Sequence, residues 1–148
     1  MFKDFSPLLI AADHAGFALK EKIKMYLIKR GYNIRDLTPI FRAGDDYPPI
    51  AKHVARLISK HLNQQAILIC GSGYGMDIAA NRFKGVRAIV ARTTQDAVMS
   101  RQDDHGNILV LGGRVTKPEL AKKIVDTWLK TKPLNAARHL RRVKQLDA

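Results

Sequence analysis

Residues 66–80 constrain the fold more than any other part of this 148-residue chain. They read AILICGSGYGMDIAA, which is a short apolar run, a turn with glycine at every second position, and a segment of helical character. The apolar run is typical of a strand that is buried on both faces. A glycine-rich turn that leads into a helix directs several backbone N–H groups into one small space, where an anion is stabilised. The stretch therefore predicts a strand, a turn and a helix, with a site for negative charge at the turn.

The sequence of this turn excludes two well-known phosphate-binding loops. A dinucleotide-binding fingerprint would need glycine at position 76, which is methionine, and a P-loop would need a Gly-Lys-Ser/Thr ending, which is absent. Instead, Cys70 occupies the last position of the predicted strand and Ser72 follows two residues later. A thiol beside a helix N-terminus is favoured as the reactive thiolate. A buried structural cysteine in a tight turn accounts for the same local pattern.

Length and composition add limits on the class of protein. A chain of 148 residues suits one domain, and we expect residues 1–148 to form it. The single cysteine excludes an intramolecular disulfide and is typical of a reducing compartment. Residues 1–10 lack the apolar core of a signal peptide, and no run approaches the roughly 18–20 apolar residues of a membrane span. We therefore expect a cytoplasmic protein without a membrane partner.

The formal net charge of +13 needs an interpretation. A strongly basic chain can bind nucleic acid, an acidic membrane surface or an anionic small substrate. The basic residues are spread along the chain and are densest after Arg114, without a zinc-finger spacing or a basic low-complexity tail. This distribution favours a solvated basic surface over a dedicated nucleic-acid interface.

Buried strands alternate with amphipathic helices along the chain. Apolar residues recur at helical spacing at Leu19, Ile23 and Leu27, and the same spacing returns between positions 50 and 58. Such alternation predicts an α/β fold, here a Rossmann-like three-layer αβα sandwich with a five-stranded parallel sheet. The predicted strands are residues 7–12, 32–37, 66–70, 86–91 and 107–111.

Helix ends are also predicted from local signals. Gly31 stands where the C′ residue of the first helix belongs, and Thr93 or Thr94 can cap a helix that extends to about residue 102. Residues 116–119 combine a capping box with a proline in the first turn, which predicts another helix start. Trp128 falls on the apolar stripe of that helix and is predicted to lie in the core.

Polar residues follow several of the predicted strands. In a parallel sheet, ligands bind beyond the carboxyl ends of the strands. Asp13 and His14 follow the first strand, the glycine turn follows the third, and Arg114 follows the last. We expect these residues, together with the segment 103–105 that leads into the last strand, to converge on one edge of the sheet and form a site there.

Seven short motifs occur in an order and at spacings that resemble one family. They are ADHAG at 12–16, DYP at 46–48, ICGSGYG at 69–75, IAAN at 78–81, SRQ at 100–102, GGRV at 112–115 and ARHLRRV at 137–143. Together they resemble the type B ribose-5-phosphate isomerases and the related galactose-6-phosphate isomerase subunits over nearly the whole chain. The resemblance implies an isomerase without metal or cofactor, which interconverts phosphorylated aldoses and ketoses through a cis-enediolate.

The resemblance implies roles for individual residues. It assigns to Cys70 the transfer of a proton between C2 and C1 of the sugar. It assigns to Ser72 and to the N–H groups of residues 71–75 the stabilisation of the developing oxyanion. Asp13 is implied in sugar binding and ring opening, although such a residue alone is more often a helix N-cap, and Tyr47 is implied to line the pocket. The turn residues implied to bind the substrate are Gly71, Ser72, Gly73, Tyr74 and Gly75.

Phosphate binding is implied for His14, Arg114, Arg138 and Arg142. The planar guanidinium group of arginine can contact two phosphate oxygens at once. Arg138 and Arg142 are four positions apart, so they share one face of a final basic helix predicted at 135–146. Without the resemblance, this pair would be interpreted as surface charge.

One segment departs from the family pattern. Family members usually read RQHND after the fourth helix, and their histidine is implicated in opening the sugar ring, whereas here Asp103, Asp104 and His105 follow Arg101 and Gln102. Asp103 and Asp104 are expected to contact the substrate, and Asp103, His105 or neither takes over ring opening. The expected substrate is ribose 5-phosphate, with a six-carbon aldose 6-phosphate of the allose or galactose type as the alternative.

The resemblance also implies a homodimer, or a tetramer, with active sites shared through the segment 101–105 and the C-terminal segment. Two other functions compete with a self-sufficient isomerase: a subunit that needs a different partner subunit, and a non-catalytic basic module that binds phosphate or nucleic acid. The presence of both Cys70 and Ser72 favours the self-sufficient enzyme. Cys70 has no CxxC partner for redox chemistry, and the five histidines show no metal-ligand spacing.

Overall fold

The computed structural model describes residues 6–148, which form a five-stranded sheet. The strands lie in the order β2-β1-β3-β5-β4, and every neighbouring pair is parallel. Their bounds are β1 (Leu8–Ala12), β2 (Ile34–Asp36), β3 (Ala66–Cys70), β4 (Ala88–Val90) and β5 (Ile108–Gly112). The number of strands and their parallel pairing are confirmed.

Helices cover both faces of this sheet. Those found within the described residues are α1 (Phe17–Lys29), α2 (Tyr47–Lys60), α3 (Tyr74–Ala80), α4 (Thr94–Gln102), α5 (Pro118–Lys130) and α6 (Ala137–Gln145). Helices α1, α4 and α5 contribute to the apolar core on one face, and α2 and α3 to the core on the other. Strands β1, β3 and β5 are consequently buried at every position, as expected for strands covered on both faces. The three-layer αβα sandwich is confirmed, and so is the burial of Trp128.

Most helix ends follow their local signals, with one exception. Gly31 follows α1 with a φ of 86°, and Thr93 caps α4 through reciprocal hydrogen bonds with Asp96. The capping box predicted at 116–119 is wrong, because the cap of α5 is Lys117 and makes no side-chain hydrogen bond. Thr116 is instead buried against the end of β5, where its N–H donates to the carbonyl of Gly112.

The carboxyl ends of β1, β3 and β5 lie side by side. The connection that follows β1 runs to one side of the sheet and the connection that follows β3 runs to the other. Open α/β sheets bind ligands at the point where the connections diverge in this way. Hydrogen bonds continue the ladder beyond the strand ends, since Asp13 N–H donates to the carbonyl of Ile69 and Gly113 N–H to that of Cys70. The first residues after these three strands are therefore fixed relative to one another.

Residues 103–105 lie at the opposite, amino edge of the sheet. Helix α4 carries the chain back across the sheet, so the segment that follows it precedes β5 instead of following a strand. The carbonyl of His105 accepts a hydrogen bond from Nε of Arg87, which directly precedes β4. The prediction that this segment joins the other candidates at one edge is therefore wrong within a single chain.

Helix α6 is held at the same amino edge. Before it, Leu134 N–H donates to the carbonyl of Gln102 at the end of α4. After it, the carboxylate of Asp147 accepts from the N–H of Gly85, which lies between α3 and β4. His139 is the one buried residue of this helix, so most of its surface is exposed.

A buried ion pair ties the loop after β2 to the rest of the fold. Lys20 on α1 is fully buried, and its Nζ donates to both carboxylate oxygens of Asp36 at 3.1 and 2.9 Å and to the carbonyl of Thr38 at 2.6 Å. Asp36 also accepts from the N–H of Thr38, whose hydroxyl accepts from the N–H of Ala12 at the end of β1. The network therefore fixes the start of the segment 38–46 beside the carboxyl edge.

We expect Asp36→Asn to lower the free energy of unfolding by roughly 3 kcal/mol at about pH 7, because Lys20 would keep only the partly exposed Glu21 as an ionic partner. Burial alone would raise the pKa of Asp36, but hydrogen bonds from Lys24, Lys20 and the Thr38 N–H hold it below its ordinary value. The carboxylate therefore stabilises the fold above its unfolded-state pKa, and this contribution is lost as the pH falls through its folded-state pKa.

Urea unfolding of both proteins should show this difference at about pH 7 and a much smaller one near pH ~2, below the ordinary range of aspartate. Asp46→Asn, at an exposed position, is the matched control and should change stability by less than about 0.5 kcal/mol. An undiminished difference at the lowest pH would contradict the ionic origin of the effect.

Candidate active site

A cavity of about 400 Å³ opens at the carboxyl edge of the sheet. Its lining residues come from the loops after β1 and β3, from the segment that precedes α2, and from the loop after β5. They are Asp13, His14, Ala15, Gly44, Asp45, Asp46, Tyr47, Cys70, Gly71, Ser72, Gly75 and Arg114. The cavity thus brings together the candidates at positions 13, 14, 47, 70, 71, 72, 75 and 114.

Cys70 is the last residue of β3 and is 4% exposed. The N–H of Gly73 donates to its sulfur at a distance of 3.2 Å. An N–H donor stabilises a thiolate more than a thiol, because hydrogen bonds to an ionised acceptor are the stronger ones. The thiol therefore lies at the strand end beside the start of α3, where the sequence places it, and one backbone donor is already directed at it.

The glycine turn divides into residues that line the cavity and residues that support the turn. Ser72 Oγ accepts a hydrogen bond from the N–H of Tyr74 at 3.3 Å. The N–H groups of Gly73 and Tyr74 are therefore used inside the turn. Gly71, Ser72 and Gly75 line the cavity, whereas the side chain of Tyr74 is 59% exposed outside it.

Asp13 combines a structural role with a place in the cavity. Its Oδ1 accepts hydrogen bonds from the N–H groups of Ala15 and Gly16, each at 3.0 Å, and so closes the turn between β1 and α1. It is not the N-cap of α1, which is Gly16. Its Oδ2 accepts none from residues 6–148. Asp13 is 5% exposed, so its position is fixed while one carboxylate oxygen keeps its capacity to accept a proton or a hydrogen bond.

His14 is held by Asp45, a residue that the sequence reasoning did not select. Its backbone N–H donates to Asp45 Oδ1 at 2.7 Å, and its Nδ1 lies 3.1 Å from the carbonyl oxygen and 3.2 Å from Oδ1 of the same residue. Two acceptors at Nδ1 place a proton on that nitrogen, which leaves Nε2 for a ligand. The acidic pair before Tyr47 was the available signal, but it does not tell which aspartate contacts the histidine.

Tyr47 begins α2 and lies against the glycine turn. A Cβ atom on Gly75 would lie 2.4 to 2.9 Å from three carbons of the Tyr47 ring. Glycine at position 75 therefore lets the aromatic ring lie directly on the turn, where it forms one wall of the cavity.

Arg114 provides a positive charge at the cavity wall. Its N–H donates to the carbonyl of Gly71 at 3.0 Å. A Cβ atom on Gly71 would lie 3.3 Å from Nη1 of this arginine, so the guanidinium group lies beside the turn. No carboxylate among residues 6–148 forms an ion pair with it, and it can therefore bind an anionic ligand.

The remaining candidates do not line this cavity. Asp103, Asp104, Arg138 and Arg142 lie at the amino edge of the sheet, and none of them forms an ion pair within the described part of the chain. His105 lies there as well, and its Nε2 donates to the carbonyl of Leu134 at 2.8 Å. Within a single chain, the predicted site residues therefore form two separate groups, one at the carboxyl edge and one at the amino edge of the sheet.

Two negative findings hold for residues 6–148. No group of three or more His, Cys, Asp or Glu side chains there is arranged to hold a metal ion. No helix in that range has both the length and the apolar character needed to cross a membrane.

Comparison with known proteins identifies relatives along nearly the whole chain. The family model described as Ribose/Galactose Isomerase matches residues 8–146. The chain is 40% identical over 141 residues to ribose-5-phosphate isomerase B of Escherichia coli, a match that covers 95% of this chain and 94% of that protein. It is 37% identical over 124 residues to the D-erythrulose-4-phosphate isomerase of Pectobacterium atrosepticum, covering 82% and 81%.

A solved structure shows the same fold with a ligand. The crystal structure of ribose-5-phosphate isomerase B from Mycoplasma genitalium, with bound ribulose-5-phosphate, superposes with a TM-score of 0.89 at 39% identity. The match covers 95% of this chain and 93% of that one.

We expect Gly75→Ala to lower the free energy of unfolding by about 1–2 kcal/mol, because the new methyl group would displace the Tyr47 ring. In a Tyr47→Ala background the same change should be neutral or stabilising by up to about 1 kcal/mol, since alanine is the better helix former. Urea unfolding of the four proteins gives the coupling energy. Gly71→Ala, whose new methyl group would lie closest to the flexible Arg114 side chain and also near Cβ of Ala15, should show no coupling to Tyr47. Equal costs of Gly75→Ala in the two backgrounds would refute the contact.

Proposed function

The chain belongs to the ribose/galactose isomerase family, and from this premise we propose that its cavity interconverts a phosphorylated aldose and its ketose, with ribose 5-phosphate as the substrate. One observation carries the proposal: the single cysteine lies in the cavity with an N–H group on its sulfur. The comparisons support it, because the E. coli relative is a ribose-5-phosphate isomerase B and the M. genitalium structure holds ribulose-5-phosphate.

In the proposed reaction, the thiolate of Cys70 removes the proton from C2 of the open-chain aldose and returns it to C1. The electron pair of the broken C–H bond forms the C1–C2 double bond of a cis-enediolate, and negative charge develops on the carbonyl oxygen. The Ser72 hydroxyl and the N–H of Gly71, which both line the cavity, stabilise that charge. Asp13 accepts the proton of the C2 hydroxyl group, whose oxygen becomes the carbonyl oxygen of the ketose, and delivers it to O1, which becomes the C1 hydroxyl group. The sequence of steps uses no metal or cofactor.

The phosphate group of the substrate is bound by His14 and Arg114. His14 is oriented by Asp45 so that Nε2 is free, and Arg114 has no carboxylate partner within the described residues. Arg114 donates hydrogen bonds to phosphate oxygens from its guanidinium group, and His14 donates from Nε2 when both of its ring nitrogens carry a proton. Tyr47 covers the sugar.

We propose further that the site is completed by a second copy of the chain in a homodimer. Helix α6 carries Arg138, Arg141, Arg142 and Lys144 and no acidic residue. It lies at the amino edge, so Arg138 and Arg142 reach a phosphate in the cavity only from a neighbouring copy. Asp103 and Asp104 lie at the same edge and would enter with them. Exposed apolar residues support such an interface, because Ile78 on α3 is 61% exposed and Leu140 on α6 is 49% exposed.

A four-carbon sugar phosphate is a second candidate substrate, and Asp103 favours it. A carboxylate is a poor proton donor at neutral pH, and His105 is already bonded to the Leu134 carbonyl, so neither residue suits ring opening. A tetrose 4-phosphate has its O4 blocked by phosphate and cannot close a five-membered ring, so its isomerisation needs no ring-opening acid. The P. atrosepticum relative acts, by its name, on D-erythrulose 4-phosphate. Six-carbon aldose 6-phosphates, which are larger than ribose 5-phosphate, remain the other alternative substrates.

The place of action that we propose is the cytoplasm, with residues 1–148 acting as one domain. The single cysteine, which is free and buried, supports a reducing compartment. The similarity to metabolic enzymes over most of the chain supports a single catalytic domain.

We expect Cys70→Ala to reduce aldose–ketose turnover by at least about a thousandfold, because it removes the base that moves the proton. The assay would follow ketose formation from ribose 5-phosphate, erythrose 4-phosphate, allose 6-phosphate and galactose 6-phosphate. Ser59→Ala, which changes a hydroxyl group far from the cavity, should keep full activity. Turnover by Cys70→Ala at the wild-type rate would refute the mechanism. Absence of wild-type turnover, with salt-sensitive DNA binding, would favour the basic module instead.

A complementation experiment tests the shared site. Cys70→Ala and the double variant Arg138→Gln/Arg142→Gln should each be inactive alone. After unfolding and refolding together, half of the dimers would be mixed, and each mixed dimer would hold one intact site, so on the order of one quarter of the wild-type activity should return. If α6 served the cavity of its own chain, no mixed dimer would contain an intact site and no activity would return. Cys70→Ala refolded alone is the control.

A further inference from the structure

The guanidinium group of Arg92 contacts the glycine turn without lining the cavity. Arg92 follows β4, and its N–H donates to the carboxylate of Asp96 at 2.8 Å. Its Nη2 donates to the carbonyl oxygen of Ser72 at 2.6 Å, and its Cζ lies 5.0 Å from the centre of the Tyr74 ring. Asp96 therefore holds the backbone of Arg92, and both of these contacts of the arginine side chain are with the turn that follows Cys70.

One peptide group connects this arginine to the cysteine. The carbonyl of Ser72 and the N–H of Gly73 belong to the same peptide, and no peptide bond among residues 6–148 is cis. In a trans peptide, the C=O and N–H bonds point in opposite directions. Arg92 binds the oxygen end of this group, and the hydrogen end is directed at Cys70 Sγ at 3.2 Å. A cation on the oxygen also polarises the peptide and strengthens its N–H as a donor.

The opposite orientation of this peptide would disfavour the thiolate form of Cys70. Gly73 has a φ of 92°, and a peptide next to glycine can rotate at low steric cost because glycine accepts both signs of φ. The rotated peptide would direct the Ser72 carbonyl toward the sulfur and would repel a thiolate. The hydrogen bond from Arg92 to the carbonyl opposes that rotation.

This arrangement leaves a buried donor of Arg92 without a partner. Nη1 of Arg92 is buried and makes no hydrogen bond with the described residues. A Cβ atom on Gly112 would lie 2.7 Å from this Nη1 and 2.6 Å from the Ser72 oxygen, so glycine at the end of β5 makes the contact possible. A buried unpaired N–H destabilises a fold, which argues that the guanidinium group has a role at the turn.

We propose that Arg92 is a positioning residue for Cys70, because its hold on the Ser72 carbonyl keeps the Gly73 N–H on the sulfur and stabilises the thiolate. This proposal adds a positioning residue to the proposed isomerase, and its effect on turnover rests on that proposed function. The other titratable or charged groups that share the cavity with Cys70 are Asp13, His14, Asp45, Asp46, Tyr47 and Arg114. They are the same in every variant below, so differences between variants report on Arg92.

The test is the pH profile of Cys70 alkylation by iodoacetamide. The chain has one cysteine, so the reaction reports on this sulfur alone. We expect Arg92→Met to move the midpoint of the profile upward by about one pH unit and to slow alkylation at neutral pH about tenfold. Arg92→Lys keeps the charge but loses the planar contact with the carbonyl and with Tyr74, and it should show a smaller upward shift.

A matched control separates this role from a general loss of stability. Arg87 is a half-buried arginine that also donates to backbone carbonyls, those of Gly85 and His105, at the amino edge. Arg87→Met should lower the melting temperature without moving the alkylation profile. The proposal is overturned if Arg92→Met keeps the wild-type profile or if Arg87→Met moves it as far. If Arg92→Met fails to fold, Arg92→Lys decides: a shifted profile supports the proposal, and an unchanged one overturns it.

Turnover distinguishes failure of this proposal from failure of the proposed function. With the best sugar phosphate of the panel, Arg92→Met should lower kcat about tenfold and leave KM within about twofold, because the phosphate contacts are untouched. If the wild type converts no sugar phosphate, the isomerase function fails, while the alkylation profiles still report whether Arg92 controls the sulfur.

Discussion

Hydrogen bonds that extend the parallel ladder past the ends of the strands hold the site in place. Asp13 N–H donates to Ile69, Gly113 N–H to Cys70 and Arg114 N–H to Gly71. These bonds join the first residues after β1, β3 and β5, so the three loops keep a fixed register without contacts between their side chains. The position of Cys70 relative to Asp13 and Arg114 is thus a property of the backbone, and the side chains are left for a ligand.

The carboxyl edge of the sheet could be predicted because its signals are local. An apolar run of five residues that ends at a glycine turn places Cys70 at a strand end whatever the rest of the chain does. The segment 103–105 was assigned to the wrong edge because a residue that precedes a parallel strand lies at its amino end. Helix α4 has nine residues, so it is about 13 Å long and carries the chain back across the sheet before that segment begins.

Contacts between distant loops could not be predicted, because no periodic pattern reports them. His14 and Asp45 are 31 positions apart, and Arg92 and Ser72 are 20 apart. Each pair joins residues on different loops, and only the folded register brings them together. The failed capping box at 116–119 has the same origin: the N–H of Thr116 bonds to Gly112, so the local signal is overridden by the end of β5.

The distribution of charge around the cavity argues for a small anionic ligand over a nucleic acid. A surface for a nucleic-acid backbone is continuously positive along its length, whereas this cavity is lined by Asp13, Asp45 and Asp46 as well as by His14 and Arg114. The carboxylates suit the hydroxyl groups of a sugar, and the basic side chains among them suit its phosphate. In the proposed dimer, α6 of the second copy adds its arginines to these basic groups. Those arginines have no acidic partner among the described residues of their own chain, so a phosphate bound by both chains of the proposed dimer would account for part of the net charge of +13.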